Sequence, residues 1–218
     1  ASGQTTQTIS SLCIGTYTVT AIDANGCKAN IAVTITQPAA LTVSTTSTNL
    51  SCNGVCIGAA TGTGAGGTSP YTYKWASGQT TQTISSLCIG TYTVTAIDAN
   101  GCKANTPVTI TQPAALTVST TSTNLTCNGV CIGAATGTGA GGTSPYTYKW
   151  ASGQTTQTIS SLCTGTYRVT AIDANGCKAN IAVTITQPAA LTVSTTSTNL
   201  SCNGVCIGAA TGTGAGGT

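Results

Sequence analysis

The sequence has no His, Met, Phe or Glu, and its only acidic side chains are Asp23, Asp98 and Asp173. Charged residues make up 4% of the 218 positions, against roughly 25% in an average globular domain. Enzymatic proton transfer falls mostly to His, Glu and Asp. Without His or Glu no nucleophile–base pair can be assembled, so the chain is read as a non-enzyme that needs no cofactor. Six basic and three acidic residues leave a formal charge of +3, too dilute for the basic stripe of a nucleic-acid binder. No apolar run approaches the ~20 residues of a membrane-spanning helix.

What the sequence does contain, it contains repeatedly. GTYTVTAIDANGC stands at 15–27 and at 90–102, and returns at 165–177 as GTYRVTAIDANGC. Residues 41–115 and 116–190 differ at only five places: Ser51/Thr126, Ile89/Thr164, Thr93/Arg168, Thr106/Ile181 and Pro107/Ala182. Residues 1–40 match the C-terminal part of this 75-residue unit and 191–218 its N-terminal part, with the joint at QPAA (112–115). Internal periodicity decides architecture before any other signal. A unit of this length exceeds a solenoid coil and predicts a small complete domain. The chain starts and stops inside its own unit, so a longer repetitive protein is expected.

Within a unit the pattern is strand throughout. LTVSTTST (41–48), GAATGTGAGG (58–67), YTYKW (71–75), TQTISSL (81–87), TYTVTAI (91–97) and PVTIT (107–111) are separated by Gly, Pro, Asn and Ser clusters, and nothing has helical periodicity. Alternation puts Tyr92, Val94 and Ala96 on one face and Thr91, Thr93 and Thr95 on the other. Arg168, in place of Thr93, falls on the outward face. Pro107 is placed at the start of its strand, where a missing N–H does least harm. Six or seven short strands in 75 residues predict a two-sheet sandwich. The Gly-rich segment is the weak strand: its alternate positions Ala60, Gly62 and Gly64 lack bulk. Either the sheets approach closely there or a neighbouring copy covers that face.

Four cysteine positions per unit yield twelve cysteines. A CxxxC pair with its two companions fourteen residues apart lacks the paired spacing of a zinc knuckle. Disulfides are expected instead, and with them an oxidising, extracellular setting. Cys88 and Cys102 flank a strand roughly 25 Å long, so they cannot bond to each other. The favoured pairing is Cys52–Cys102 with Cys56–Cys88, and Cys127–Cys177 with Cys131–Cys163 in the next unit. CNGVC spans only ~14 Å, so this pairing requires the segment to lie lengthwise. The rival is a bridge between units, such as Cys52 to Cys177.

Three further features have competing readings. One Asp per unit is too few for calcium, so Asp98, Asn100 and Gly101 are read as a turn. Asn49, Asn124 and Asn199 each begin an Asn-x-Ser/Thr pattern and are candidate glycosylation acceptors. Thr-x-Thr alternation is similar to ice-binding surfaces, but sandwich landmarks interrupt it.

The order PYTYKW, G-x-T-T-x-x-I-x-x-L, L-x-x-G-T-Y-x-V and D-A-N-G-C resembles the SprB-type repeat of gliding-motility adhesins on the surface of Bacteroidetes. More distantly it is similar to PKD and fibronectin type III sandwiches. The resemblance covers every complete repeat. It implies a core role for Trp75 and Trp150, a tyrosine corner at Leu87 and Tyr92 (Tyr167 in the next unit), and a hairpin turn at Asp98–Gly101. Cys52 and Cys102 match cysteines that such repeats carry, whereas Cys56 and Cys88 are additional. The expected fold is all-β: tandem immunoglobulin-like sandwiches of 75 residues, disulfide-stapled and arranged end to end. The expected function is the structural shaft of a secreted filament on a bacterial cell surface, an adhesin for gliding or attachment. Its expected partners are neighbouring repeats or identical chains, and surface polysaccharide. The alternatives are a self-assembling extracellular fibre and a glycan-binding module, the latter requiring a solvent-facing Tyr or Trp.

Overall fold

The computed structural model describes residues 5–217, and all its regular elements are strands. They are β1 (Gly15–Ile22), β2 (Lys28–Ile35), β3 (Thr42–Thr48), β4 (Gly58–Ala65), β5 (Thr72–Trp75), β6 (Thr83–Leu87), β7 (Gly90–Ile97) and β8 (Lys103–Ile110). They continue as β9 (Thr117–Thr123), β10 (Gly133–Ala140), β11 (Thr147–Trp150), β12 (Thr158–Leu162), β13 (Gly165–Ile172), β14 (Lys178–Ile185), β15 (Ala189–Thr198) and β16 (Ala209–Gly217). Contacts divide the chain into two compact units. One comprises Ala1–Thr48, Ala59–Ser85 and Gly90–Thr109; the other comprises Asn49–Gly58, Ser86–Ile89 and Ile110–Thr218.

The second unit contains residues 116–190 whole. There β9, β10 and β12 form one antiparallel sheet and β11, β13 and β14 another. First, second and fourth strands in one sheet, and third, fifth and sixth in the other, is the pairing of an immunoglobulin-like sandwich. Residues 41–110 form the corresponding sheets β3-β4-β6 and β5-β7-β8. The protein therefore contains tandem immunoglobulin-like folds, each built on six strands.

The core follows from which side chains alternate inward. Leu125, Trp150, Ile159, Leu162, Val169 and Ile185 pack together, with Tyr148 and Tyr167 against them. Trp150 is 1% exposed, and its indole N–H donates to the Thr156 carbonyl at 2.9 Å, so its one polar group is satisfied. Burying an aromatic of this size is a dominant stabilising term in so small a core.

The Gly-rich strand takes the first of its two expected arrangements. In β10 the inward row is Gly133, Ala135 and Gly137, with Gly139 following it. A Cβ at Gly137 would stand 3.2 Å from a Val169 methyl, and one at Gly139 would stand 3.0 Å from the Tyr146 ring. The sheets lie close because large side chains of one fill the gaps left by small residues of the other. Tyr146 closes the end, donating its hydroxyl hydrogen to the Gly141 carbonyl at 2.6 Å.

Two expectations about strand detail are corrected. TQTISSL is not a regular alternating strand, since Ile159 and Leu162 are both buried although three positions apart. The register slips between Gly133 and Ala135 opposite them, and Ser161 takes φ 56°. The extra residue of this bulge returns Leu162 to the inner face. Pro107 lies inside β8, not at its start. It is tolerated because β8 is an edge strand, and an edge has no second neighbour needing its N–H.

Candidate functional site

The segment from Asn49 to Cys56 collects bonds that the rest of the unit lacks. Asn49 Oδ1 accepts the Thr111 N–H at 2.9 Å, and the Leu50 N–H donates back to the Thr111 carbonyl at 2.9 Å. Asn53 Nδ2 donates to the Pro113 carbonyl at 3.0 Å, and the Gly54 N–H donates to Gln112 Oε1 at 2.9 Å. Gly54 sits at φ 76°, a left-handed turn position that glycine adopts without strain. The loop is thereby sewn along the QPAA joint. The second copy repeats the pattern, with Asn128 on Pro188 at 2.9 Å and Gly129 on Gln187 at 3.0 Å.

Disulfides anchor the same loop. Cys56 is bonded to Cys88 and Cys131 to Cys163, each with Cα atoms 4.1 Å apart. Cys52 is bonded to Cys177, with a Cα separation of 5.7 Å. The favoured partner, Cys102, is free and exposed, as is Cys127. The reason can be read in the second copy. Cys127 follows β9 beyond the Thr123/Ala134 pair, while Cys177 belongs to a turn held to Thr143 beyond the Thr117/Ala140 pair. Seven residues of strand, roughly 23 Å at 3.3–3.4 Å per residue, lie between these ends. A disulfide needs Cα atoms within about 7 Å, so the pairing of Cys52 with Cys102 and of Cys127 with Cys177 is replaced by a bridge from Cys52 to the following 75-residue repeat, within the second compact unit. CNGVC then has no need to stretch along the sandwich.

The receiving turn is built around a carboxylate. Asp173 Oδ1 accepts the N–H groups of Asn175 and Cys177, both at 2.9 Å, and Oδ2 accepts that of Thr143 at 2.9 Å. Burial pushes the Asp173 carboxyl upward, but the N–H groups of Thr143, Cys177, Asn175 and Gly176 outweigh it and hold the pKa below the usual value. At Asp98 the Thr68 N–H is the largest influence, and the balance is again downward. A buried carboxylate satisfied by backbone donors stays ionised and fixes the turn. Asn175, displayed by this turn, donates Nδ2 to the Ser51 carbonyl at 3.0 Å beside the Cys52–Cys177 bridge. The neighbouring contact is to backbone, which is why Ser51 and Thr126 are exchangeable.

The other singled-out residues lie in the core, in turns and at the surface. Trp75, Trp150 and Leu87 are buried, and Asp98 is 6% exposed. Asn100 and Gly101 form the turn closed by the Gly101 N–H on the Asp98 carbonyl at 3.0 Å. Tyr167 donates its hydroxyl to the Cys163 carbonyl at 3.1 Å, four residues upstream, the bond of a tyrosine corner. Tyr92 is half-buried at the corresponding position. Asn124 Oδ1 accepts the Thr186 N–H at 3.0 Å, whereas Asn199 is exposed. Among the described residues no Tyr or Trp is exposed, and no three His, Cys, Asp or Glu gather. An open recess of about 230 Å³ is lined by Trp150, Ser152, Tyr167 and Arg168, among others. Among the described residues no helix is long and apolar enough to cross a membrane. Sequence reasoning missed the Asn53, Gly54, Gln112 and Pro113 contacts, although the invariance of CNGVC and QPAA across copies was visible.

No family model and no curated protein matches this sequence. Among solved structures the chain is similar to one of Dscam, concerned with isoform specificity, at 14% identity and TM-score 0.29, over 66% of this chain and 41% of that one. It is similar to the C-terminal 282-residue fragment of intimin, in complex with the intimin-binding domain of the translocated intimin receptor, at 15% identity and TM-score 0.31. That match covers 82% of this chain and 59% of that one. A third match is an amphioxus IgVJ-C2 molecule, at 16% identity and TM-score 0.27, over 70% of this chain and 99% of that one. The chain thus spans less than two thirds of the first two.

Proposed function

We propose that this chain is a length of the shaft of a secreted cell-surface filament, an adhesin whose repeats act mechanically. The observation that carries this reading is the Cys52–Cys177 bridge, flanked by hydrogen bonds that sew the loop to the joint. A binding module needs its domains folded; only a load-bearing array has use for covalent bonds from one repeat to the next. Disulfides persist in oxidising compartments, which supports an extracellular location. Because Cys56–Cys88 and Cys131–Cys163 each join cysteines at a sequence separation of 32, tension cannot extend those segments until the bridges are reduced. The resemblance to SprB-type repeats supports the finer reading: a bacterial surface, and gliding or attachment as the use. Glycan recognition has less support, since every Tyr and Trp among the described residues is buried or half-buried.

Immunogold electron microscopy of intact source cells, with antibody raised against this chain, tests the reading. Gold strung along thin filaments at the cell surface is expected. Gold confined to the cell interior, or to matrix detached from cells, overturns the shaft.

A further inference from the structure

Charge is segregated by sheet. Lys149 stands on β11, Arg168 on β13 and Lys178 on β14, all exposed and all in one sheet of residues 116–190. The facing sheet has no charged residue; its strands β9, β10 and β12 read TVSTTST, GAATGTGA and TISSL. Both sheets turn one face to water, and solubility alone would scatter charge over both. Nothing acidic balances the cations. Asp173, the one carboxylate of the repeat, is 5% exposed and occupied by backbone N–H groups.

The register places the three cations. Lys149 lies opposite Thr170, and Thr170 opposite Asn180. Arg168 is one strand across and two residues along from Lys149, roughly 8 Å at ordinary strand spacings. Lys178 is two strands across and two residues along in the other direction, roughly 12 Å from Lys149. Trp150 and Val169, their neighbours along β11 and β13, are buried, so the cations share the outer face. Arg168 Nη1 donates to Asn180 Oδ1 at 2.7 Å. That bond lays the guanidinium along the sheet and leaves its other N–H donors for a ligand.

The recess of about 230 Å³ opens beside Arg168, where β11 ends, and Ser152, Thr166 and Tyr167 line it. Pockets for drug-sized ligands run to roughly 300–1,000 Å³, so this one suits a smaller group of the size of a single sugar. A following repeat does not close off these positions. Ala76, Ser77 and Thr91, their equivalents in residues 41–115, are exposed although a whole repeat follows.

We propose that this face of residues 116–190 binds a uronate-bearing polysaccharide. One sugar enters the recess, its carboxylate meets the Arg168 fork, and its hydroxyls exchange hydrogen bonds with Ser152 and Thr166. Further carboxylates of the polymer pass Lys149 and Lys178. Arginine matches a carboxylate with two parallel N–H donors, which a lysine cannot do. A single-stranded nucleic acid needs exposed rings on which bases stack, and no Tyr or Trp among the described residues is exposed. A flat anionic membrane has no use for a recess. Recognition here depends on charge rather than on ring stacking, and the repeats are unequal in it. Residues 41–115 keep the two lysines, Lys74 and Lys103, but have Thr93 in place of the arginine.

The inference goes beyond the shaft reading and is tested on the purified chain, so either can fail without the other. The 218-residue protein is run in native gels containing polygalacturonate, with neutral dextran as control. Tri-galacturonate is titrated into the labelled protein and followed by amide NMR. Retardation by polygalacturonate alone is expected, relieved by salt because these charges are exposed, with the largest shifts at Ser152, Thr166 and Arg168. Arg168→Thr restores the residue that Thr93 shows to fit this fold, and is expected to weaken binding roughly two- to fivefold. Thr93→Arg is expected to strengthen it and to bring shifts to Ser77 and Thr91. Absence of retardation, Arg168→Thr binding as well as the parent chain, shifts spread evenly over the lysines, or equal binding to single-stranded DNA or phosphatidylglycerol vesicles each overturn the inference.

Discussion

The segment 191–217 has the sequence of 116–142, yet the two have opposite fates. Leu125 is 5% exposed and Leu200 52%; Gly137 has Val169 and Tyr148 against it, while Gly212 has nothing within 4 Å. Both segments form the same hairpin with the same pairing, Ala134↔Thr123 in one and Ala209↔Thr198 in the other. Local sequence therefore suffices for the strands and their register, and the facing sheet alone supplies burial. A strand inward row of Gly, Ala and Gly is unfinished by itself. It becomes core only when Tyr and Val arrive from the other side.

Substitutions can sharpen this contrast. The largest effect is expected for Trp150→Ala, which empties the centre of a complete sandwich and costs about 3–5 kcal/mol, read from urea unfolding by circular dichroism. Leu125→Ala is expected to cost roughly 2–5 kcal/mol, and the same change at Leu200 less than about 0.5 kcal/mol; equal losses would break the contrast. At the glycines the sign itself should differ. Gly137→Val overpacks the interface by about 1–3 kcal/mol, whereas Gly212→Val relieves a strand of its glycine and gains roughly 0.5–1 kcal/mol, seen as slower amide exchange in β16.

The smallest effect is expected from pH. Asp173 and Asp98 have pKa values lowered on folding, so the unfolded chain binds more protons than the folded one as the solution is acidified. Their stabilisation is complete above the ordinary carboxylate range and is lost as pH falls through the lowered folded values. Asp173→Asn should flatten the acid limb of the unfolding curve below about pH 4 and leave stability near neutrality less dependent on pH. In the terminal hairpin Asp23 keeps the N–H bonds of Asn25 and Cys27 at 2.9 and 2.8 Å.

Most of the fold was legible because alternation and turn residues are local signals, and the repeat displays each of them more than once. The faces of β7 and the turn at Asp98 follow from spacing of two and from Asn-Gly. The bulge at Ser161 was harder to see, since Ile159 and Leu162 contradict alternation only when both are known to be inside. The partner of Cys52 was legible only as the rival reading, the bridge to Cys177: four cysteines in 75 residues close arithmetically among themselves, and only the distance between the two ends of the sandwich forbids it. Contacts between Asn53, Gly54 and the joint were hidden for the same reason, being non-local and made largely to backbone.

Each bridge links positions defined only by their phase in the repeat, and the Asn175 contact reads a carbonyl rather than a side chain. Deleting or duplicating one whole repeat from the gene would leave the remaining cysteines in the same phase, so that a bridge of either kind still finds its matching position. Removing any other number of residues would strand several at once. Inheritance can therefore lengthen or shorten such a molecule in steps of one repeat without redesigning a single joint, so reach becomes a trait that varies independently of stability.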